Sequence, residues 1–180
     1  MNLKGTLLIA PPSVKNNFWY KTVILVTEHH SHGSIGLVLN KHSPLTVTEF
    51  GERLNFNLDY PGYVYQGGPV SSKNLCLLHS NEWSCRNTIQ ITKTISLSSA
   101  DDMLPRLEAG DTPKKWRLFL GMCGWGPNQL DTEINSTHSH DKSWCVSSSN
   151  CNLIYESDNK EQWVLALEQS SIEFAKNSML

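Results

Sequence analysis

Three short apolar runs, Thr6 to Ala10, Thr22 to Glu28 and Ser34 to Asn40, constrain this chain more than any other feature. Each is rich in Val, Ile, Leu and Thr, side chains that suit a pleated backbone, and each is bounded by turn residues. They read as strands, and the last two as a hairpin. Their connection, His29-His30-Ser31-His32-Gly33, suits a loop whose glycine can take a positive φ. Further strand-like runs follow at Tyr63 to Gln66, at Leu75 to His79, from Thr88 through Ile91 toward Leu97, at Trp116 to Gly121, and around Trp144 to Ser147.

Helices are expected between these runs. Thr46-Val47-Thr48-Glu49 has the form of a capping box, and Val47, Phe50 and Leu54 would share one face of a helix ending near Asn55. A second should begin at Ser98 or Ser99, with Asp101 and Asp102 at the positive end of its dipole, and stop at Gly110. Pro105 inside it would kink the segment or move its start later. Pro127 suits the first turn of a short helix through Gln129, Leu130, Glu133 and Ile134. Asp158 and Glu161 would cap a last helix that packs through Trp163, Ala166, Leu167, Ser170 and Phe174. About eight strands and four helices without βαβ alternation imply an α+β fold with a mixed, mostly antiparallel sheet.

At 180 residues the chain suits one domain, 1–180, with one core. Fifteen Lys and Arg against seventeen Asp and Glu give a net charge of −2, which supplies little general attraction for nucleic acid. Cys76, Cys85, Cys123, Cys145 and Cys151 are odd in number and form no CxxC pair, so they are read as reduced thiols. The run Leu7 to Ala10 is shorter than a signal-peptide core and no run approaches a membrane span, which leaves a cytoplasmic protein as the expectation.

The blocks Leu3-Lys4-Gly5-Thr6-Leu7-Leu8-Ile9-Ala10-Pro11-Pro12-Ser13, Val26-Thr27-Glu28-His29, Gly36-Leu37-Val38-Leu39-Asn40-Lys41, Gln66-Gly67-Gly68-Pro69-Val70, Leu78-His79-Ser80 with Trp83, and Gly124-Trp125-Gly126-Pro127-Asn128-Gln129-Leu130 resemble, in order and spacing, the YqgE/AlgH family. The resemblance covers nearly the whole chain. It implies a sheet folded into a pseudo-barrel with helices packed outside, and a bacterial source. It implies little about activity, because the family largely lacks an assigned one and is sometimes labelled a transcriptional regulator. The chain departs from the family at Pro11, at Pro105 and in the His- and Ser-rich stretch from Ser136 to Asn150.

Among residues able to carry chemistry, Glu28-His29-His30-Ser31-His32 offers imidazoles and a carboxylate to a metal, with His138 and His140 as further ligands. An exposed hairpin loop seldom converges three rings on one ion, so solvated histidines, and no metal or other cofactor, are expected. Cys76 or Ser80 beside His79 could form a nucleophile and base, but strand neighbours face opposite sides. The glycines of Gly67-Gly68-Pro69 and of Gly121 to Gly126 lack the phosphate-loop pattern and read as tight turns.

Glu28, His29, Asn40, Lys41, His79, Gln129 and Glu133, with Trp83 and Trp125 as aromatic walls, fall near strand ends or a helix start. They could line a rim that binds a small molecule or a protein, or else satisfy backbone groups at strand termini. The function expected is therefore that of a non-enzymatic ligand- or protein-binding regulatory protein with no membrane contact. A transcriptional regulator contacting DNA is an alternative, although Arg53 alone on the first helix and the small Lys114, Lys115, Arg117 cluster give direct nucleic-acid binding little support. A hydrolase-like enzyme using His79 or His29 as general base is the other.

Overall fold

In the computed structural model, residues 2–99, 101–135, 144–157 and 159–179 are described. They divide into two compact units, residues 1–40 with 123–180, and residues 41–122.

The first unit holds β1 (Thr6–Ile9), β2 (Val23–His30) and β3 (Gly33–Val38). Where a five-residue loop was expected, β2 and β3 run on until only Ser31 and His32 separate them, and Gly33 carries φ 140°. β1 also pairs with a late strand, Cys145–Ser148, and Ser34 to Gly36 pair with Cys123 to Trp125, all antiparallel. Val23 to Val26 are wholly buried on both faces, as a continuous apolar run in a covered strand should be. Leu8, Ile24, Val26, Val38, Trp125 and Trp144 pack in one hydrophobic cluster. Gly36 makes room for it, since a Cβ there would lie 2.7 Å from Ile24 Cγ2 and 3.2 Å from the Trp125 ring.

The second unit holds β4 (His42–Thr46), α1 (Val47–Arg53), β5 (Tyr63–Gln66), β6 (Val70–Ser80), β7 (Ile89–Gln90), β8 (Ile95–Ser98) and α2 (Met103–Glu108). The strand β9 (Trp116–Trp125) lies in it as far as Met122. β6 pairs antiparallel with β8 and β9, and β5 runs parallel to β9, which makes the sheet mixed. Leu58, Val64, Leu77, Trp83, Leu107 and Leu118 form the cluster of this unit. Where one core was expected from length, each unit thus carries a cluster of its own.

The capping box forms in full: Thr46 Oγ1 accepts from Glu49 N at 3.1 Å, and Glu49 Oε2 accepts from Thr46 N at 2.9 Å. These bonds lower the Glu49 pKa, the backbone bond from Thr46 foremost. Leu54, expected on the packed face of α1, is 43% exposed. The second helix begins at Met103, later than Ser98 or Ser99, so Asp101 and Asp102 precede it. Pro105 then falls in the first turn, where its missing N–H costs nothing. The segment from Thr88 toward Leu97 is two strands, because the Thr92 hydroxyl accepts from both Thr94 N and Ile95 N and turns the chain back.

Three helices complete the first unit: α3 (Gln129–Asn135), α4 (Cys151–Tyr155) and α5 (Asn159–Asn177), with Cys145–Ser148 as β10. Neither α4 nor β4 was expected. The described residues hold ten strands and five helices where eight and four were anticipated. On α5 the buried positions are Gln162, Ala166 and Ser170, while Phe174, expected to pack, is 75% exposed. Polar side chains dock this helix: Gln162 Nε2 donates to Leu153 O at 2.6 Å, and Ser170 Oγ to Val146 O at 2.9 Å. The α+β class and the mostly antiparallel pairing are as expected.

Candidate functional site

Of the nine candidate residues, Glu28, His29, Asn40, Trp125, Gln129 and Glu133 belong to the first unit, and Lys41, His79 and Trp83 to the second. In the first unit, β9 ends at Trp125 and turns through Gly126 and Pro127 into α3, which brings Glu133 under the indole. Glu133 Oε2 accepts from Trp125 Nε1 at 3.1 Å and from Trp144 Nε1 at 2.8 Å. Its other oxygen accepts from Gln129 Nε2 at 2.8 Å, and Gln129 Oε1 accepts from Gly126 N at 3.0 Å. One carboxylate thus ties two tryptophans to a helix, and Trp125 is 7% exposed.

Strand alternation separates the members of the histidine run. Glu28 and His30 share a face, 3.8 Å apart, with the His30 side chain 63% exposed. His29 faces the other way, 11% exposed, and its Nδ1 accepts from Leu3 N at 3.4 Å, which leaves the proton on Nε2 to be donated to Asp131 Oδ2 at 3.2 Å. His138 and His140 lie outside the described residues. Among the described residues no group of three or more His, Cys, Asp or Glu is placed to hold a metal ion. Asn40 braces the start of β2: Oδ1 accepts from Val23 N at 3.0 Å, and Nδ2 donates to Lys21 O at 2.7 Å.

In the second unit, β6 buries His79 completely. Nδ1 lies 2.9 Å from Ser80 O and must carry the proton, so Nε2, at 2.7 Å from Ser98 Oγ, accepts. Ser98 in turn meets the Thr88 hydroxyl at 2.7 Å, and Thr88 accepts from Cys85 N at 2.7 Å. Burial holds the His79 pKa below its ordinary value, against the pull of the Ser80 bond and of Glu82. The distance between Ser98 and His79 is that of a nucleophile and its base, yet both are fully buried and the orienting partner is a carbonyl instead of a carboxylate. Cys76 is buried, and its thiol is pushed up to about 12 by that burial.

Trp83 is fixed as firmly. Its Nε1 donates to Asp111 O and Oδ1 at 3.1 and 3.0 Å, and the Arg106 guanidinium stands 4.3 Å over its ring. Arg106 bonds Asp111 at 2.6 Å, the main reason the Asp111 pKa is lowered. Lys41 offers its carbonyl to Gln66 N at 2.7 Å. The Gly67 amide is spent inside the unit, donating to Leu120 O at 2.8 Å, and at Gly121 a Cβ would lie 2.6 Å from Gly68 O.

The AlgH-like family model matches residues 7–175. The chain belongs to the AlgH-like family. It is 33% identical over 178 residues to a UPF0301 protein of Actinobacillus pleuropneumoniae, covering 95% of this chain and 93% of the relative. A UPF0301 protein of Haemophilus influenzae is 31% identical, over 92% of this chain and 89% of its own length. The solution structure of the AlgH protein from Pseudomonas aeruginosa superposes with a TM-score of 0.76 at 28% identity, over 93% of this chain and 88% of that one. A Corynebacterium diphtheriae protein shares the fold at 19% identity, with a TM-score of 0.68 over 91% and 84% of the two chains. No helix among the described residues of this AlgH-like chain is long and apolar enough to cross a membrane.

Sequence reasoning placed Trp125, Gln129 and Glu133 in one rim with six other residues, and it missed Trp144, Asp131 and Ser98, which complete the networks. A spacing of 102 residues between His29 and Asp131 carries no local signal.

Proposed function

We propose that this AlgH-like chain is a non-enzymatic binding protein with a regulatory role, and that its polar candidate residues brace the surfaces that bind. The observation carrying this reading is that both histidines placed to act as bases, His29 and His79, already use both ring nitrogens inside the fold. A general base needs a lone pair that a substrate proton can reach. The buried Cys76 thiol stays protonated and so supplies no thiolate. For direct DNA reading, the basic residues near β9 offer little: the Lys114 charge acts on Glu82, and Arg117 stands over the Tyr65 ring.

The test is a screen of the purified protein against hydrolase and phosphatase substrates, beside a gel shift with salt titration. No turnover and no sequence preference at moderate salt are expected. An activity that vanishes in His79→Ala would overturn the reading.

A further inference from the structure

Between β1 and β2 the chain forms an open cavity of about 390 Å³ in the first unit. Pro12, Val14 and the Trp163 ring supply its apolar walls, and Lys15, Tyr20 and Lys21 its polar ones. Among the described residues, no carboxylate lines it. Residues 1–40 carry three lysines against one glutamate, so the local charge is positive although the chain is slightly acidic overall.

The cavity is built with rigid parts. Trp163 Nε1 donates to Ala10 O at 2.8 Å, which fixes the indole, and Lys21 Nζ stands 5.5 Å from the centres of both the Trp163 and Tyr20 rings. Among the described residues, neither lysine ammonium has an ion pair and the Tyr20 hydroxyl has no hydrogen bond, unlike the groups of the networks above. Of the five non-glycine residues with positive φ among the described residues, two line this cavity, Asn16 at 57° and Lys21 at 51°. A lysine there is strained, and it is held by Asn40, which grips Lys21 O and the next-but-one amide. A strained backbone held by one side chain thus presents an ammonium with no ion pair among the described residues beside two aromatic rings.

We propose that this cavity binds a small anion carried on a planar ring, an aromatic phosphate or carboxylate, with Lys15 and Lys21 on the charge and Trp163 and Tyr20 against the ring. The proposal rests on the binding reading above. The rings favour a planar apolar body, and the ammonium groups exclude a cation.

The test is titration of the ¹⁵N-labelled full chain with phenyl phosphate at low salt, with benzyl alcohol and inorganic phosphate as controls. Phenyl phosphate should shift the Trp163 indole N–H and the amides of residues 12–21, with a Kd of about 1 mM or tighter. Lys15→Gln and Lys21→Gln should each weaken it by about tenfold. Lys21→Gly relieves the strained φ, so it should keep or raise the melting temperature while losing binding, which separates a ligand role from a structural one. Shifts absent from residues 12–21, equal binding of either control, or indifference to both lysine variants would overturn the proposal. Conversion of phenyl phosphate to phenol and phosphate would instead overturn the non-enzymatic reading, so the two failures are distinct.

Discussion

The Pro11 to Lys21 loop and the polar chain around His79 both gather groups that could do chemistry, under opposite conditions. Around His79 each donor meets an acceptor, from Cys85 N through Thr88 and Ser98 to the imidazole and on to Ser80 O, and the ring and Ser98 are sealed from solvent. In the loop, the Lys15 and Lys21 ammonium groups and the Tyr20 hydroxyl are open to solvent and, among the described residues, spend no hydrogen bond on the protein. A buried polar group left unmatched costs about 1–3 kcal/mol, so the first arrangement reads as architecture. The second costs backbone strain at Lys21 and returns only the contacts of its ammonium with the Tyr20 and Trp163 rings.

If that contrast is right, variants in the satisfied networks should lose stability and variants in the loop should not. The largest loss belongs to Trp125→Ala, which empties a site 7% exposed and strips one donor from Glu133. Thermal or urea unfolding should show about 3–5 kcal/mol, the range for aromatic deletions in cores. A melting temperature left unmoved would make Trp125 a surface platform.

Ser98→Ala removes the donor to His79 Nε2 and should cost about 1–3 kcal/mol. Its companion is a pH effect. Burial depresses the His79 pKa, so on acidification the unfolded chain takes up a proton that the folded one refuses. This contribution is complete above the unfolded value of about 6.5 and is lost as pH falls through the depressed folded value. Urea unfolding between those limits should show stability falling with pH, and His79→Gln should remove that part of the slope. An unchanged slope in the variant would place the titration elsewhere.

Thr46→Ala should cost about 1 kcal/mol through the lost N-cap of α1. Lys21→Gln, the loop's counterpart, should change stability by no more than about 0.5 kcal/mol. A loss as large as that of Ser98→Ala would erase the distinction between the two regions.

What the sequence discloses follows the range of the interaction. The Thr46–Glu49 box spans three residues and formed as expected. Pro127, next but one after Trp125, announces the helix that carries Gln129 and Glu133, and that helix forms. Trp144 beneath Glu133, Ser98 beside His79 and Asp131 beside His29 arrive through strand pairing or a distant helix, and no spacing rule announces them. The face of α5 was misjudged for a related reason. Hydrophobic periodicity selected Phe174, but Gln162 and Ser170 dock the helix by bonding carbonyls that the sequence does not display. The loop cavity was invisible because it depends on positive φ at Asn16 and Lys21, which neither residue type announces, and on Asn40, 19 positions away, gripping Lys21 O.

The central claim, that the histidines are spent inside the fold, is tested most directly by long-range ¹H–¹⁵N spectra of the imidazoles. The account predicts neutral His79 with its proton on Nδ1, titrating below the ordinary imidazole value, and His29 with a proton on Nε2 facing Asp131. A His79 ring that exchanges freely between tautomers and titrates at the ordinary value of about 6.5 would contradict it.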